Sequence, residues 1–304
     1  MMPISKFLDP KNDFAFKRIF GSERNKDILL RFLNDMLKFR NYGEIVDVSF
    51  LKPSQDPDIV SRKQSIVDVL CKDENGRQYI VEMQVARTKG FEKRAQFYAA
   101  RAYTSQMNSG ENYEHLKEVI FLAITDFIMF DGKPRYKSNH ILMDEETYEH
   151  DLRDFAFVFL ELPKFNKTID NLSNIIEKWA YFFKHAQDVT EANLDQFAGD
   201  DKILKRAVEQ LNKHAWSDDE ILHYDAAKKI QLDNIAAMAA AVEEGIEKGR
   251  EKGREEGREE GREEGEEKKA KSIAIKMLKS GKSVQEVAEM TDLDLDTVKQ
   301  LQKE

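Results

Sequence analysis

A single cysteine, Cys71, among 304 residues has no partner for a disulfide, which excludes both a disulfide framework and a cysteine-rich zinc site. The six histidines (His115, His140, His150, His185, His214 and His223) show no metal spacing such as HxxxH. The opening MMPISKFLDP lacks an apolar h-region, and no later run reaches the ~18 apolar residues of a membrane span. Proline is scarce, at 6 residues. These absences predict a soluble protein of a reducing, cytoplasmic compartment, with no membrane contact and no small-molecule cofactor. What is present is 41% hydrophobic and 35% charged residues, too apolar for wholesale disorder and charged enough for long exposed helices.

The net charge of -9 is unevenly spread. Residues 1–110 hold 19 Lys/Arg against 14 Asp/Glu, a balance of +5, whereas the remaining 194 residues hold 29 against 43, or -14. Such asymmetry suggests different partners for the two halves, with the N-terminal part suited to phosphates.

Residues 9–40 read as helical, with Asp9-Pro10 and Asn12 as start signals and Gly21-Ser22 splitting the stretch in two. From Glu44 the apolar period shortens: Ile45, Val46, Val48 and Phe50 look like a strand, and Pro53 to Asp58 like a loop. Residues 64–86 form two β-rich runs around a turn signal, hence a hairpin. A helix follows from about Phe91 to Met107, closed by Asn108-Ser109-Gly110. Val119–Thr125 is an apolar run short enough for a buried strand, and further strands are expected at 139–143 and 155–162.

Beyond Lys164 the chain reads as helical, with Leu172, Ile175, Ile176, Trp179, Phe182 and Phe183 at helical spacing. Residues 243–269 are low complexity, with glycines at 245, 249, 253, 257, 261 and 265. The i,i+3 pairs Glu251–Arg254, Glu255–Arg258 and Glu259–Arg262 add ~0.2–0.5 kcal/mol each, while each glycine costs ~1 kcal/mol relative to alanine. The imbalance favours a flexible or intermittently helical connector over a tightly packed glycine stripe. In 270–304 an amphipathic helix (Ile273, Ile275, Met277, Leu278) ends at Gly281, Ser283 and Glu286 form a capping box, and Asp294 caps a third helix. The spacing is helix-turn-helix-like, but Asp294, Asp296 and Glu304 beside Lys299 and Lys303 suit protein contact better than DNA phosphates.

The chemistry concentrates in the hairpin. Asp68 lies in an otherwise apolar strand, and Glu82 and Gln84, two apart on the next, share a face. A buried carboxylate needs a partner or a metal, and two carboxylates with an amide suit a hard cation such as Mg²⁺, which activates water and stabilises charge on a phosphate. Parity makes the idea testable. A two-residue turn at Asn75-Gly76 sets Asp68 opposite Met83, on the face away from Glu82. A three-residue loop, Glu74-Asn75-Gly76 with Gly76 left-handed, sets Asp68 opposite Glu82. The metal reading predicts the odd loop, and so does pairing the apolar set Val67, Val69 and Cys71 with Tyr79, Val81, Met83 and Val85. On the next helix, Arg94, Tyr98, Arg101 and Ser105 make one polar stripe. It either holds a phosphate backbone or is an ordinary exposed face.

Asp68 followed by Glu82-x-Gln84 resembles the PD-(D/E)XK nuclease signature with glutamine in place of the usual lysine. The surrounding sequence is similar to the recombination-promoting nuclease family, also known as PD-(D/E)XK nuclease-family transposases. The resemblance rests on Asn12–Phe20, Ile66–Asp68, Tyr79–Gln84, Arg94 with Tyr98, Tyr103 with Gln106, Gly110–Tyr113 and Glu161–Phe165, together with the glycine–glutamate repeat and the C-terminal helices. It covers most of the chain and is strongest over 9–165. It implies an α/β fold, a restriction-endonuclease-like core of mixed β-sheet flanked by helices, followed by an α-helical region and a short helical C-terminal module. The expected divisions are a nuclease core at 1–165, helices packing on it at 166–242, a charged connector at 243–269 and an interaction module at 270–304.

The resemblance also implies Asp68 and Glu82 as ligands of Mg²⁺ (or Mn²⁺ or Ca²⁺), with Met83 contributing its carbonyl. Gln84 takes the place of the lysine that orients the attacking water, although an amide cannot act as a base at neutral pH. Asp13 and Lys17, one turn apart, either reach the edge of the site or form a simple i,i+4 ion pair. Arg94, Tyr98 and Arg101 are the expected DNA contacts. The implied function is a divalent-metal-dependent DNA endonuclease linked to recombination or mobile DNA. The alternative is a weakly active or inactive nuclease-fold interaction protein. Both allow a homodimer or higher homo-oligomer assembled through the C-terminal helices.

Overall fold

The computed structural model describes residues 6–38, 43–52, 54–55, 65–107 and 110–303. The Asn12 side chain accepts hydrogen bonds from the N–H groups of Phe14 and Ala15, which starts α1 (Asp13–Phe20) where the sequence expects it. Gly21 closes that helix, a 3₁₀ turn follows, and α2 (Lys26–Leu37) completes the pair. The strand expected from Ile45 is shorter, β1 (Val48–Phe50). Ile45 is buried, but Asn34 takes both of its backbone groups at 2.8 Å, so it has no need of a neighbouring strand. Of the expected loop at Pro53–Asp58 only 54–55 are described. They form β2 (Ser54–Gln55), paired with β3 (Ser65–Ile66). Asn108 and Ser109 lie outside the described residues.

The hairpin is β4 (Val69–Asp73) and β5 (Gln78–Gln84), antiparallel with Val69 opposite Val81 and Cys71 opposite Tyr79. Its loop is Glu74-Asn75-Gly76, with Gly76 at φ +83° and the Asp73 N–H donating to the Arg77 carbonyl, the odd-length alternative. Then come α3 (Phe91–Thr104), β6 (Val119–Thr125), β7 (Lys137–Ile141) and β8 (Phe155–Glu161). They complete a mixed six-stranded sheet in the order β1-β4-β5-β6-β8-β7, in which β5-β6 and β6-β8 are parallel. β7 starts two residues before its expected position, as the antiparallel edge partner of β8.

Helices cover both faces of the sheet. Val69, Cys71, Tyr79, Val81, Ile120, Leu122 and Val158 pack with α1, α2 and the Trp179 and Phe183 side chains of α4 (Ile175–His185). Leu70, Ile80, Phe121, Ala123 and Phe159 pack with Ala95, Ala99 and Ala102 of α3. Val67 departs from the expected pattern. The chain bends at Asp68, so Val67 joins the α3 side instead of following Val69 and Cys71. Asp68 accordingly sits in a bend before β4, not inside a strand. After α4 come α5 (Glu191–Ala198), α6 (Lys202–Glu209) and α7 (Asp218–Lys279).

The chain divides into two compact units, 1–235 and 236–304. In the second, residues 243–269 lie within α7, so the expectation of an intermittent connector is corrected to continuous helix. Its ion pairs join residues four apart (Glu244–Lys248, Lys252–Glu256, Glu264–Lys268, Glu267–Lys271) in place of the expected i,i+3 contacts. α8 (Val284–Thr291) opens with the Ser283/Glu286 capping box, and α9 (Leu295–Leu301) is capped by Asp294. Ala274, Val287 and Val298 form the small core of this unit with Met277 and Leu278, whereas Ile273 is exposed.

Candidate active site

β5 carries the site at its carboxyl end. Alternation sends Val81 and Met83 into the α1/α2 core and turns Glu82 and Gln84 towards α3. The ladder ends at Val69–Val81, and Asp68 stands one step beyond, opposite Glu82. Asp68 Oδ2 accepts from the Met83 N–H at 2.9 Å, and Glu82 accepts from the Asp68 N–H. Asp68 Oδ1 lies 3.5 Å from Lys17 Nζ, which also bonds Asp13 at 2.7 Å. Both readings of the Asp13–Lys17 spacing therefore hold at once, because the i,i+4 pair extends to the Asp68 carboxylate.

Glu82 is buried, and its Oε1 has no hydrogen-bond partner among the described residues. Burial pushes Asp68 up to about 6, against the Met83 N–H and Lys17, which pull the other way. Burial raises Glu82 well above the carboxylate range, and the neighbouring Asp68 charge adds to it. Both shifts have the same origin, two carboxylates crowded together away from water, a strain that a bound cation relieves. Lys17 is raised as well, which for an ammonium favours the charged form: burial disfavours its charge, but Asp13 and Asp68 outweigh this.

Gln84 Oε1 accepts from Arg94 Nη2, and its Nε2 donates to the Ala86 carbonyl at 3.3 Å. The Arg94 guanidinium lies 4.8 Å from the Phe91 ring and 5.9 Å from that of Tyr98. Arg94 and Tyr98 thus reach the site, while Arg101, two turns further along α3, does not line it. Ser105 is spent on the Ala102 carbonyl at 2.9 Å.

Asp13, Asp68, Glu82, Gln84, Arg94 and Tyr98 line a cleft of ≈310 Å³. Its lining includes residues that sequence reasoning missed: Lys11, paired with Asp126 at 2.7 Å, and Ala227, Ile230, Gln231 and Asn234 of α7. Lys11 directly precedes the Asn12–Phe20 motif, a signal that was available. The α7 residues are more than 140 positions from Gln84 and carry no local mark.

Among the described residues no three His, Cys, Asp or Glu side chains cluster as a metal cage. The donor set still fits a hard cation. Two adjacent carboxylates, one with an unpartnered buried oxygen, suit an ion that completes its shell with backbone oxygen and water. Met83 contributes its N–H to holding Asp68 in place.

No curated protein and no solved structure matches the chain. The family described as PD-(D/E)XK nuclease family transposase matches residues 10–241, which contain every strand of the sheet and every residue of the cleft. PD-(D/E)XK nucleases generally use divalent metals. The match spans most of the sequence, and the chain belongs to the PD-(D/E)XK nuclease family transposases.

Proposed function

We propose that the chain is a divalent-metal-dependent endodeoxyribonuclease that hydrolyses phosphodiester bonds in recombination of, or defence against, mobile DNA. The observation that carries this reading is the buried Asp68–Glu82 pair with its unpartnered Glu82 Oε1, beside a cleft that Arg94 also lines, and with Lys17 3.5 Å from Asp68. Asp68 and Glu82 would hold a Mg²⁺ or Mn²⁺ ion, which would supply the positive charge that makes water a competent nucleophile and offsets charge building on the phosphate. The Met83 N–H fixes the Asp68 carboxylate. Gln84 holds Arg94 through its amide oxygen, aiming the guanidinium at a phosphate. Lys17 brings the ammonium that position 84 lacks. Copies assemble through the C-terminal helices, where Met290 and Leu295 are exposed, and light scattering that shows a concentration-independent monomer opposes this part.

A second reading, a weakly active or inactive interaction protein, is favoured by one observation. The Gln84 amide is already bonded at both ends, to Arg94 and Ala86, and cannot accept a proton. Plasmid cleavage with Mg²⁺ or Mn²⁺ separates the two. Nicking or linearisation that disappears with Asp68→Ala and with chelator supports the nuclease, whereas no cleavage by folded wild type on several DNA forms supports the interaction protein.

A further inference from the structure

The outer flank of α3 has a character that its cleft-lining residues only begin. The buried stripe of the helix, Phe91, Ala95, Ala99 and Ala102, packs on the sheet. At ~100° per residue, Tyr98, Arg94, Arg101, Phe97 and Lys93 follow one another round the helix within an arc of roughly 140° that starts beside that stripe. Glu92, the one carboxylate of α3, falls on the other flank. The arc begins in the cleft, which Tyr98 and Arg94 line, and ends in solvent at Lys93 and at Phe97, a phenylalanine that is 49% exposed. The Phe97 and Tyr98 rings lie 6.2 Å apart between centroids, inclined at 53°, so the aromatic surface is continuous from the cleft to the outside.

The cations here differ in what they are free to do. Arg94 is held by Gln84, and Arg87 lies 3.8 Å from Asp131. Lys89, in the loop between β5 and α3, and Lys93 are both exposed, and among the described residues neither has an ion-pair partner. Residues 87–101 hold five Lys/Arg against Glu92 alone, a balance of +4 in a chain of net charge -9. An exposed phenyl ring beside uncompensated ammonium groups matches a polyanion that also has an apolar side. Nucleic acid is such a partner, with phosphates for the lysines and a sugar or base for the ring. Continuity with the cleft favours it over an acidic protein surface.

We infer that Lys89, Lys93 and Phe97 form a docking face for the DNA that flanks the scissile phosphate, so that the substrate runs from the cleft along the outer flank of α3. This rests on the nuclease reading above and deepens it, by separating the groups that hold the substrate from the carboxylates proposed to act on it. The two lysines neutralise backbone phosphates, and Phe97 covers a sugar or base next to them. All three hold bound DNA equally well before and during cleavage, so they act on affinity and not on the chemical step.

The test uses the full-length protein and fluorescence anisotropy of labelled duplex and single-stranded DNA in Ca²⁺, over a series of salt concentrations. Lys89→Gln with Lys93→Gln is expected to reduce the slope of log K against log[salt] by about 1.8 on duplex and about 1.4 on a single strand, the release of two phosphate contacts. Phe97→Ala is expected to weaken binding roughly fivefold with the slope unchanged, as loss of an apolar contact does. Lys202→Gln with Lys213→Gln removes the same charge from exposed positions on the α6 side of the sheet and is expected to leave the slope alone. In cleavage with Mg²⁺ or Mn²⁺, the Lys89/Lys93 variant should raise KM and keep kcat. An unchanged slope in that variant, or an equal fall in the Lys202/Lys213 control, overturns the inference and leaves the nuclease reading intact. If wild type cuts no DNA, a fall confined to the Lys89/Lys93 variant upholds the inference while the nuclease reading fails. Folded wild type that binds no DNA overturns both.

Discussion

Asp73 closes the hairpin that sets Asp68 beside Glu82, and its removal should be among the most damaging single changes in the sheet. Its side chain is fully buried. One oxygen accepts from the N–H groups of Asn75 and Arg77, both at 2.9 Å, and the other accepts from Arg77 Nε and the Tyr79 hydroxyl, both at 2.8 Å. Asp73→Ala leaves a guanidinium that is only 15% exposed and a buried phenol without their shared partner. Breaking a buried ion pair from one side costs about 3–5 kcal/mol, and stranding a buried hydroxyl adds about 1–3 kcal/mol. Arg77 retains some access to water, so the expected loss is about 4 kcal/mol by urea denaturation followed by circular dichroism. Tyr79→Phe alone should cost about 1 kcal/mol, and the double variant less than the sum, because the phenol that Asp73→Ala strands is then absent. A loss below about 1 kcal/mol for Asp73→Ala, or strict additivity with Tyr79→Phe, refutes the reasoning.

The remaining predictions concern the α4 network, the glycine repeat and the edge of the cleft. Burial alone would raise Glu177, but Lys167 at 2.6 Å and the Ser173 N–H and hydroxyl bring it down to about 2. Its stabilisation is therefore complete above the ordinary carboxyl value and is lost as pH falls towards 2. Glu177→Gln should cost about 2 kcal/mol at pH 7, after discounting for the partly exposed Lys167, and only a small fraction of that at pH 2. An equal loss at both pH values would count against the network. A Cβ at Gly253 or Gly257 meets nothing within 4 Å. Gly253→Ala with Gly257→Ala should stabilise the helix by ~2 kcal/mol and raise its circular dichroism signal, and a fall in helicity would show that the glycines serve a contact. Lys17→Met should slow cleavage by roughly 10²-fold, as loss of a charge beside the reacting phosphate does, with Asp13→Asn well below that. Equal effects would make the pair structural.

The hairpin was legible because two independent codes agreed. Alternation assigned Val69, Cys71, Tyr79 and Val81 to one face, and the residue count of the turn decided whether Asp68 met Glu82. Both are local, and the odd loop at Gly76 follows from them. The reading failed where a backbone bend interrupted alternation, at Val67, and where a side chain replaced a strand partner, at Ile45 with Asn34. The repeat was misread for a different reason. Summing glycine penalties treats 243–269 as an isolated peptide, whereas helix already formed on either side removes the nucleation term and leaves only propagation.

The candidate site divides along the same line. Asp68, Glu82 and Gln84 are fixed by one hairpin, so strand parity reaches them. Arg94 and Tyr98 needed the further fact that α3 covers the face to which Glu82 and Gln84 turn. Arg101 belongs to the same sequence stripe but lies two turns from Arg94, beyond the residues that line the cleft. The α7 residues were out of reach altogether, since Ile230 and Gln231 look like any exposed helical residues until Tyr224 docks on Asp9 and Asn12. Local pattern thus reaches the proposed metal ligands, whereas the rest of the cleft lining depends on tertiary contacts. Changes at Asp68 or Glu82 should accordingly abolish cleavage of every DNA form, and cleavage that survives either change would remove the pair from the proposed centre.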